Sequence, residues 1–262
     1  MAASAADIAG HLEVVDAERQ RRAASPGLPA KVTALKAFQQ RRFSHTYADL
    51  LASSRYGAAA RYFLDELYGP KDFSARDAQF ARVAPKIARV FPSEVAETLA
   101  ILSELHALSE TLDTAMSLQL ASDRIAPRDY IAAWQGVGRS ADRDRQIDLT
   151  LSIAAQLDRI TRLPLLRNAL RLMRGPARAA GLGELQRSLE TGFDTFRAMK
   201  GAEEFIAFIR ARARPRRCAV RGGQRRRHRR GVDGSGVGGL AFGGRGCRLT
   251  ATAGTVSAGN RS

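Results

Sequence analysis

The sequence predicts an all-α fold, a bundle of about nine or ten helices over residues 1–212 with a disordered Arg/Gly-rich tail over 213–262. Three observations lead there. Apolar residues recur at three- and four-residue spacing along the first 212 positions. Valine and isoleucine are scattered instead of gathered in alternating runs, so no segment reads as a strand. The breaks between periodic segments are short and carry proline or glycine, as antiparallel neighbours require.

The elements follow in order. Ile8, Leu12 and Val15 share one face of a first helix, with Ser4 and Asp7 at capping-box spacing. "SPGLP" at 25–29 ends it. A second helix carries Val32, Leu35 and Phe38 and is expected to run on through Tyr47 and Leu50. A third spans about Ser54 to Tyr68 and stops at Gly69-Pro70. A fourth starts at Ser74, with Asp77 as its capping-box acid and a kink or restart expected at Pro85, which has no N–H to offer Ala81. The longest segment follows Pro92, with Leu102, Leu105, Leu108, Leu112 and Met116 in a stripe. Pro127 opens a short helix bearing Tyr130 and Trp134, and four further amphipathic segments complete the set. No fixed-period repeat is present.

The net charge of +16 is unevenly placed. Residues 213–262 hold 12 Arg, no Lys and one Asp, leaving the body only mildly basic at +5. Both cysteines, Cys218 and Cys247, lie in that tail, so the body has neither disulfides nor thiolate metal sites. The tail cannot bury enough apolar surface to offset its ordering entropy. Two readings of it stand open. It is an arginine arm that grips phosphate backbones, with Arg225, Arg226, Arg227, Arg229 and Arg230 at its centre. Or it is a frameshift product, a GC-rich gene read out of frame, which fits a body with 25 Arg against 5 Lys. Nucleic acid is a partner only on the first reading. The tail's Gly234, Gly236 and Gly239 match a dinucleotide fingerprint by letter, but the strand, helix and acid that the motif needs are missing. No apolar run reaches the roughly 20 residues of a membrane-spanning helix. The N-terminus lacks the basic and apolar regions of an export signal, so cytoplasm is expected.

Chemistry-bearing patterns are few. On the longest helix His106, Glu110 and Asp113 fall within about 60° of arc. They are weak candidate metal ligands, since a di-iron bundle needs Glu-x-x-His on two helices. The plainer reading is a solvated face with His106 and Glu110 as an i, i+4 pair. No metal or cofactor is expected. "PLLRNALRLMR" sets Arg167, Arg171 and Arg174 opposite Leu165, Leu166, Leu172 and Met173. Such a helix can lie on anionic lipid or meet an acidic partner, but a core helix with an arginine outer face is the expectation here. Nucleophile elbows, Walker loops and zinc-protease motifs are absent, so nothing in the sequence supports catalysis.

The densest stretch is "YFLDELYGPKDFSARD", residues 62–77. Tyr56, Ala60, Phe63 and Leu67 form a buried face there, and Asp65 points outward, within reach of Arg61. Glu66 lies at the edge of the apolar face, and Arg76 lies on the inward side of the next helix. A turn at Gly69-Pro70 brings them together, predicting a Glu66–Arg76 contact for which Asp72 or Asp77 can compete. The corner of Tyr62, Glu66, Tyr68, Asp72, Arg76 and Asp77 is the candidate site, read as an ion-paired helix junction or, more sharply, as a ligand pocket.

"YFLDELYGP" resembles the F-F-L-E-E-L-Y-G-P signature of a family of uncharacterised bacterial proteins, and "KDFSARDAQFARVAP" and "LSELHALSETLD" resemble its following segments. Tyr62 and Asp65 depart from the signature conservatively. The resemblance, over about residues 30 to 210, implies an all-α bacterial protein. It implies no activity and so carries over no catalytic residue. The leading functional expectation is a non-catalytic module that binds another protein or itself at the 62–77 corner. The alternatives are nucleic-acid binding through the tail and an enzyme using His106 with its neighbouring carboxylates.

Overall fold

The computed structural model describes residues 5–213 apart from 68, 72, 91–92 and 164; for residues 5, 67 and 85–90 only the backbone is described. Every described residue belongs to one compact unit, which lies within Met1–Arg217. The tail arginines, Tyr68, Asp72 and the Ser4 cap lie outside the described residues.

The described residues are all-α, with twelve helices and one π-helical turn among them. The helices are α1 (Ala5–Ala23), α2 (Leu28–Thr46), α3 (Ala48–Ala52), α4 (Gly57–Tyr62), α5 (Ser74–Val90), α6 (Ser93–Gln119), α7 (Pro127–Val137), α8 (Ser140–Ile160), α9 (Leu166–Leu172), α10 (Arg174–Ala179), α11 (Gly183–Ala198) and α12 (Glu203–Ala213). The break before α2 turns at Gly27, whose φ of 75° suits glycine, and Pro29 stands in the first turn where its missing N–H costs nothing.

α6 is the axis of the bundle: α1, α2, α5, α7 and α8 all pack against it. That burial on many sides explains why α6 is not a simple amphipathic helix. Leu105, Leu112 and Met116 of its stripe are buried, but so are Ala96, Leu99, Ser103 and Thr114 on other faces. The apolar core is correspondingly divided. One cluster joins Tyr56, Phe63, Phe196 and Phe205, another Ile8, Phe80, Leu99 and Leu185, a third Leu35, Met116 and Tyr130, and a fourth Leu105, Leu149 and Ile153. Most domains have one contiguous core. Here the clusters surround an interior space.

Several local expectations need correction. α2 stops at Thr46, and a break at Tyr47 separates it from α3, so the long second helix is two. The third predicted helix starts three residues late, at Gly57, and passes into a π-helical turn over Phe63–Leu67. A π-turn inserts one residue into the helical repeat. Consecutive Phe63 and Leu64 are consequently both buried. α5 runs through Pro85 without a restart. Asp65 accepts from Gln40 Nε2 at 3.2 Å, while Arg61 turns to the Leu51 carbonyl.

The largest correction concerns the arginine-rich helix. α9 was expected to bury its leucines, yet none of its residues is buried, and Leu165 and Leu172 are 76% and 78% exposed. Leu166, Arg167 and Leu170 are half-buried, Arg171 and Arg174 are exposed, and surface ion pairs join Arg167 to Asp194 at 2.9 Å and Arg174 Nε to Glu190 at 2.7 Å, both acids on α11.

Candidate functional site

The space between the core clusters is a chamber of about 710 Å³. Phe43, Tyr47, Leu50, Phe63, Phe73, Phe80, Leu102, Leu105, Leu185 and Phe205 give it apolar walls. Its surface-facing side includes Arg42, Thr46, Ile131, Trp134 and Asp144, which are exposed, so the chamber communicates with solvent between α2, α7 and α8. Volume and lining are those of a small-molecule site, where apolar walls enclose a few placed polar groups.

Those polar groups include Lys36, Asp77, His106, Glu110 and Asp113 from α2, α5 and α6, and Arg19 and Arg22 of α1 pair with two of them. Asp77 at the start of α5 is buried and accepts from three sides. His106 Nε2 of α6 lies 2.9 Å from its Oδ2, Arg76 Nε lies 3.2 Å from its Oδ1, and Arg19 of α1 pairs with Oδ2. Burial alone would raise the Asp77 carboxyl, but His106, Arg76 and Arg19 together outweigh it and hold the group well below the usual carboxylate range. An ionised Asp77 accepts, so His106 donates from Nε2. The predicted capping acid of α5 therefore serves as the junction of α1, α5 and α6.

One turn along α6, Glu110 is 5% exposed. Lys36 Nζ meets its Oε1 at 2.5 Å, and Arg22 pairs with Oε2, while Arg22 Nε donates to Thr114 Oγ1 at 2.8 Å. Burial again opposes ionisation, and Lys36 and Arg22 overcome it, leaving the Glu110 carboxyl at about 2. Asp113, 7% exposed, accepts from an amide, Gln39 Nε2 at 3.1 Å, while Lys36 and Arg143 act on it from farther off. There burial prevails and pushes its carboxyl up. His106, Glu110 and Asp113 are thus not a solvated face. α1, α2 and α5 close over that side of α6 and bring a cation or an amide to each carboxylate.

These partners also bear on the metal reading. His106 turns to Asp77, Glu110 to Arg22 and Lys36, and Asp113 to Gln39, each away from a common centre. Among the described residues no group of three or more His, Cys, Asp or Glu is arranged to hold a metal ion.

The 62–77 corner is assembled differently from the expectation. Arg76 does reach Glu66, but Nη1 donates to its backbone carbonyl at 2.8 Å. The Glu66 carboxylate pairs with Lys71 at 3.5 Å, and Asp77 takes the rest of the Arg76 fork. The π-turn accounts for this, since it reorients the end of the helix and offers a carbonyl where the carboxylate was expected. Arg76 also stacks over Phe73, 4.1 Å from the ring centroid. Tyr62, Arg76 and Asp77 line the chamber, whereas Glu66 does not. Tyr62 Oη donates to the Ser188 carbonyl at 3.3 Å and lies over Gly192 of α11.

The residues that sequence reasoning missed are Arg19, Arg22, Lys36, Gln39 and Arg42. Each stands in an ordinary helical context, 58 to 88 positions from the partner it meets where one exists. One signal was readable: Lys36, Gln39, Phe43 and Thr46 recur at three- and four-residue spacing on α2, a polar stripe threaded through an inward face.

A family model described as a domain of unknown function, DUF8198, matches residues 18–225. Comparison with curated proteins and with solved structures finds no match in either. Among the described residues no helix is long and apolar enough to cross a membrane.

Proposed function

Since the chain belongs to the DUF8198 family, whose description assigns no activity, we propose from the geometry alone that it binds a small molecule in the chamber enclosed by α2, α5, α6, α8 and α12. One observation carries the reading: an apolar space of about 710 Å³ interrupts the core and is furnished with buried, hydrogen-bonded charges. Cores are ordinarily packed to crystal density, and voids beyond the size of a water are few. A space this large forgoes many contacts, a cost that a resident ligand would offset. Placing ion pairs at its wall is also expensive, and charged groups convergent on an apolar cavity are the usual furniture of a binding site. The inward position of Tyr62, Arg76 and Asp77 favours this reading over docking of a protein at the 62–77 corner. The nucleic-acid reading rests on Arg225 to Arg230, outside the described residues, and draws no support from the geometry.

The test uses the neutral fluorescent probe N-phenyl-1-naphthylamine on the full chain. One saturable site per chain is expected. Filling the chamber with the double substitution L102F/I147F should abolish binding while the helical circular dichroism is kept. Undiminished binding by that folded variant, or no saturable site in the parent, overturns the proposal.

A further inference from the structure

The charges at the chamber wall do not balance, and the imbalance indicates the chemistry of the ligand. Five cations line it, Lys36, Arg42, Arg76, Arg143 and Arg212, against four carboxylates, Asp77, Glu110, Asp113 and Asp144. Asp77 and Glu110 are ionised and already held, the first by Arg19 and Arg76 and the second by Arg22 and Lys36. Asp113 contributes little, because burial favours its neutral form and its direct partner is the Gln39 amide. Lys36 spends one of three donors, on Glu110. Two turns further along α2, Arg42 also lines the chamber. It stacks on Phe43 and Tyr130, with its guanidinium carbon 4.8 and 5.3 Å from the ring centroids, and has no carboxylate partner among the described residues. An arginine held against two rings is oriented in advance for an anion. Between these cations the walls are apolar: Phe43, Phe63, Leu102, Leu105 and Phe205.

We infer that the ligand is an anionic amphiphile, an acyl or aryl chain ending in a carboxylate or phosphate, whose head is met by Lys36 and Arg42 of α2 and whose body fills the apolar chamber. The inference rests on the chamber being a binding site at all. Given that, the class follows from charge. A cationic head would add to an existing excess of positive charge. A neutral head would leave that excess without a counter-charge. An anion removes it, and the acyl body replaces contacts that the divided core lacks. A carboxylate and a phosphate share this chemistry, and their different charges separate them in titration.

The experiment is displacement of bound N-phenyl-1-naphthylamine from the full chain by dodecanoate, dodecyl phosphate, dodecanol and dodecyltrimethylammonium, each below its micelle concentration. Trp134, the sole tryptophan, lines the chamber and reports independently by its emission. The anions should displace at least tenfold more strongly than the alcohol, and the ammonium least. Arg42→Gln, at an exposed position outside any ion pair, should weaken the anions about tenfold and leave the alcohol unchanged. Lys36→Met should act alike, and Arg42→Gln decides the matter if that variant is unstable. Stronger displacement by dodecyl phosphate than by dodecanoate assigns a phosphate head, and the reverse a carboxylate. Equal displacement by alcohol and anions overturns the amphiphile's charge while the chamber stands as a site. Anion preference that survives in both variants overturns the α2 head position. Failure of the probe itself to bind overturns the chamber reading and this inference together.

Discussion

His106 Nε2 lies 2.9 Å from Asp77 Oδ2, so α6 and α5 are joined through a carboxylate that Arg19 and Arg76 also hold. Removing that charge strands two cations at once. Asp77→Asn should cost about 3–5 kcal/mol, as breaking a buried pair by deleting one partner does. The group's folded pKa is depressed, so its contribution is present above the unfolded value of about 3.9 and is lost as pH falls. Urea unfolding of the variant should therefore show its full deficit at pH 7, most of it still at pH 3, and its loss only as pH falls through the depressed folded value.

Glu110 obeys the same sign over a defined window. Its carboxyl moves from 4.5 to about 2 on folding. Its stabilisation is complete above pH 4.5 and fades toward pH 2. The shift corresponds to roughly 3 kcal/mol. Glu110→Gln should lower urea stability at pH 7 by about that amount and flatten the acid limb of the stability profile.

Asp113 should behave oppositely. Its carboxyl is raised by burial, so ionising it costs stability as pH rises above the ordinary carboxylate range. Asp113→Asn removes that cost and keeps an oxygen for Gln39 Nε2. The variant should melt at or above the parent temperature at pH 7, and the difference should shrink toward pH 4. A variant that melts well below the parent at pH 7 contradicts the reading.

Gly192 leaves room for Tyr62. A Cβ there would stand 2.6 Å from Tyr62 Oη and 2.9 Å from Cζ. Alanine favours a helix interior by about 1 kcal/mol over glycine, yet overpacking costs about 1–3 kcal/mol. Gly192→Ala should destabilise in the parent and stabilise in a Tyr62→Leu background. A double-mutant cycle measures the coupling, and additive effects would show that the two side chains do not meet.

Leu165 and Leu172 support nothing in the bundle. L165S/L172S should change unfolding free energy by less than about 0.5 kcal/mol, as exposed substitutions do. Arg174→Ala, at the neighbouring contact to Glu190, should loosen the start of α10 from α11 and raise its amide exchange.

The sequence by itself determined the helices, because their signal is local. Ile8 and Val15, Tyr56 with Ala60 and Phe63, and Leu105 with Leu112 each declare a buried face through spacing that any window displays. Pro29 and Pro127 likewise mark helix starts wherever the helices go. The 62–77 stretch could be recognised as dense in function-bearing residues, but not assembled, since one extra residue in a π-turn exchanged the Glu66 carboxylate for its carbonyl. Only the tertiary structure decided what the charges do. Glu110 and Asp113 sit on the polar side of α6 by every local measure. They became interior because α1 and α2 cover that side and bring Arg22, Lys36 and Gln39 to it. α9 is the converse: its apolar stripe is real, yet Leu165 and Leu172 are exposed, and ion pairs from Arg167 to Asp194 and from Arg174 to Glu190 tie this segment to α11 at the surface. Amphipathic spacing says which residues share a face. Which face is buried depends on what the neighbouring helix presents, and that neighbour is remote in sequence.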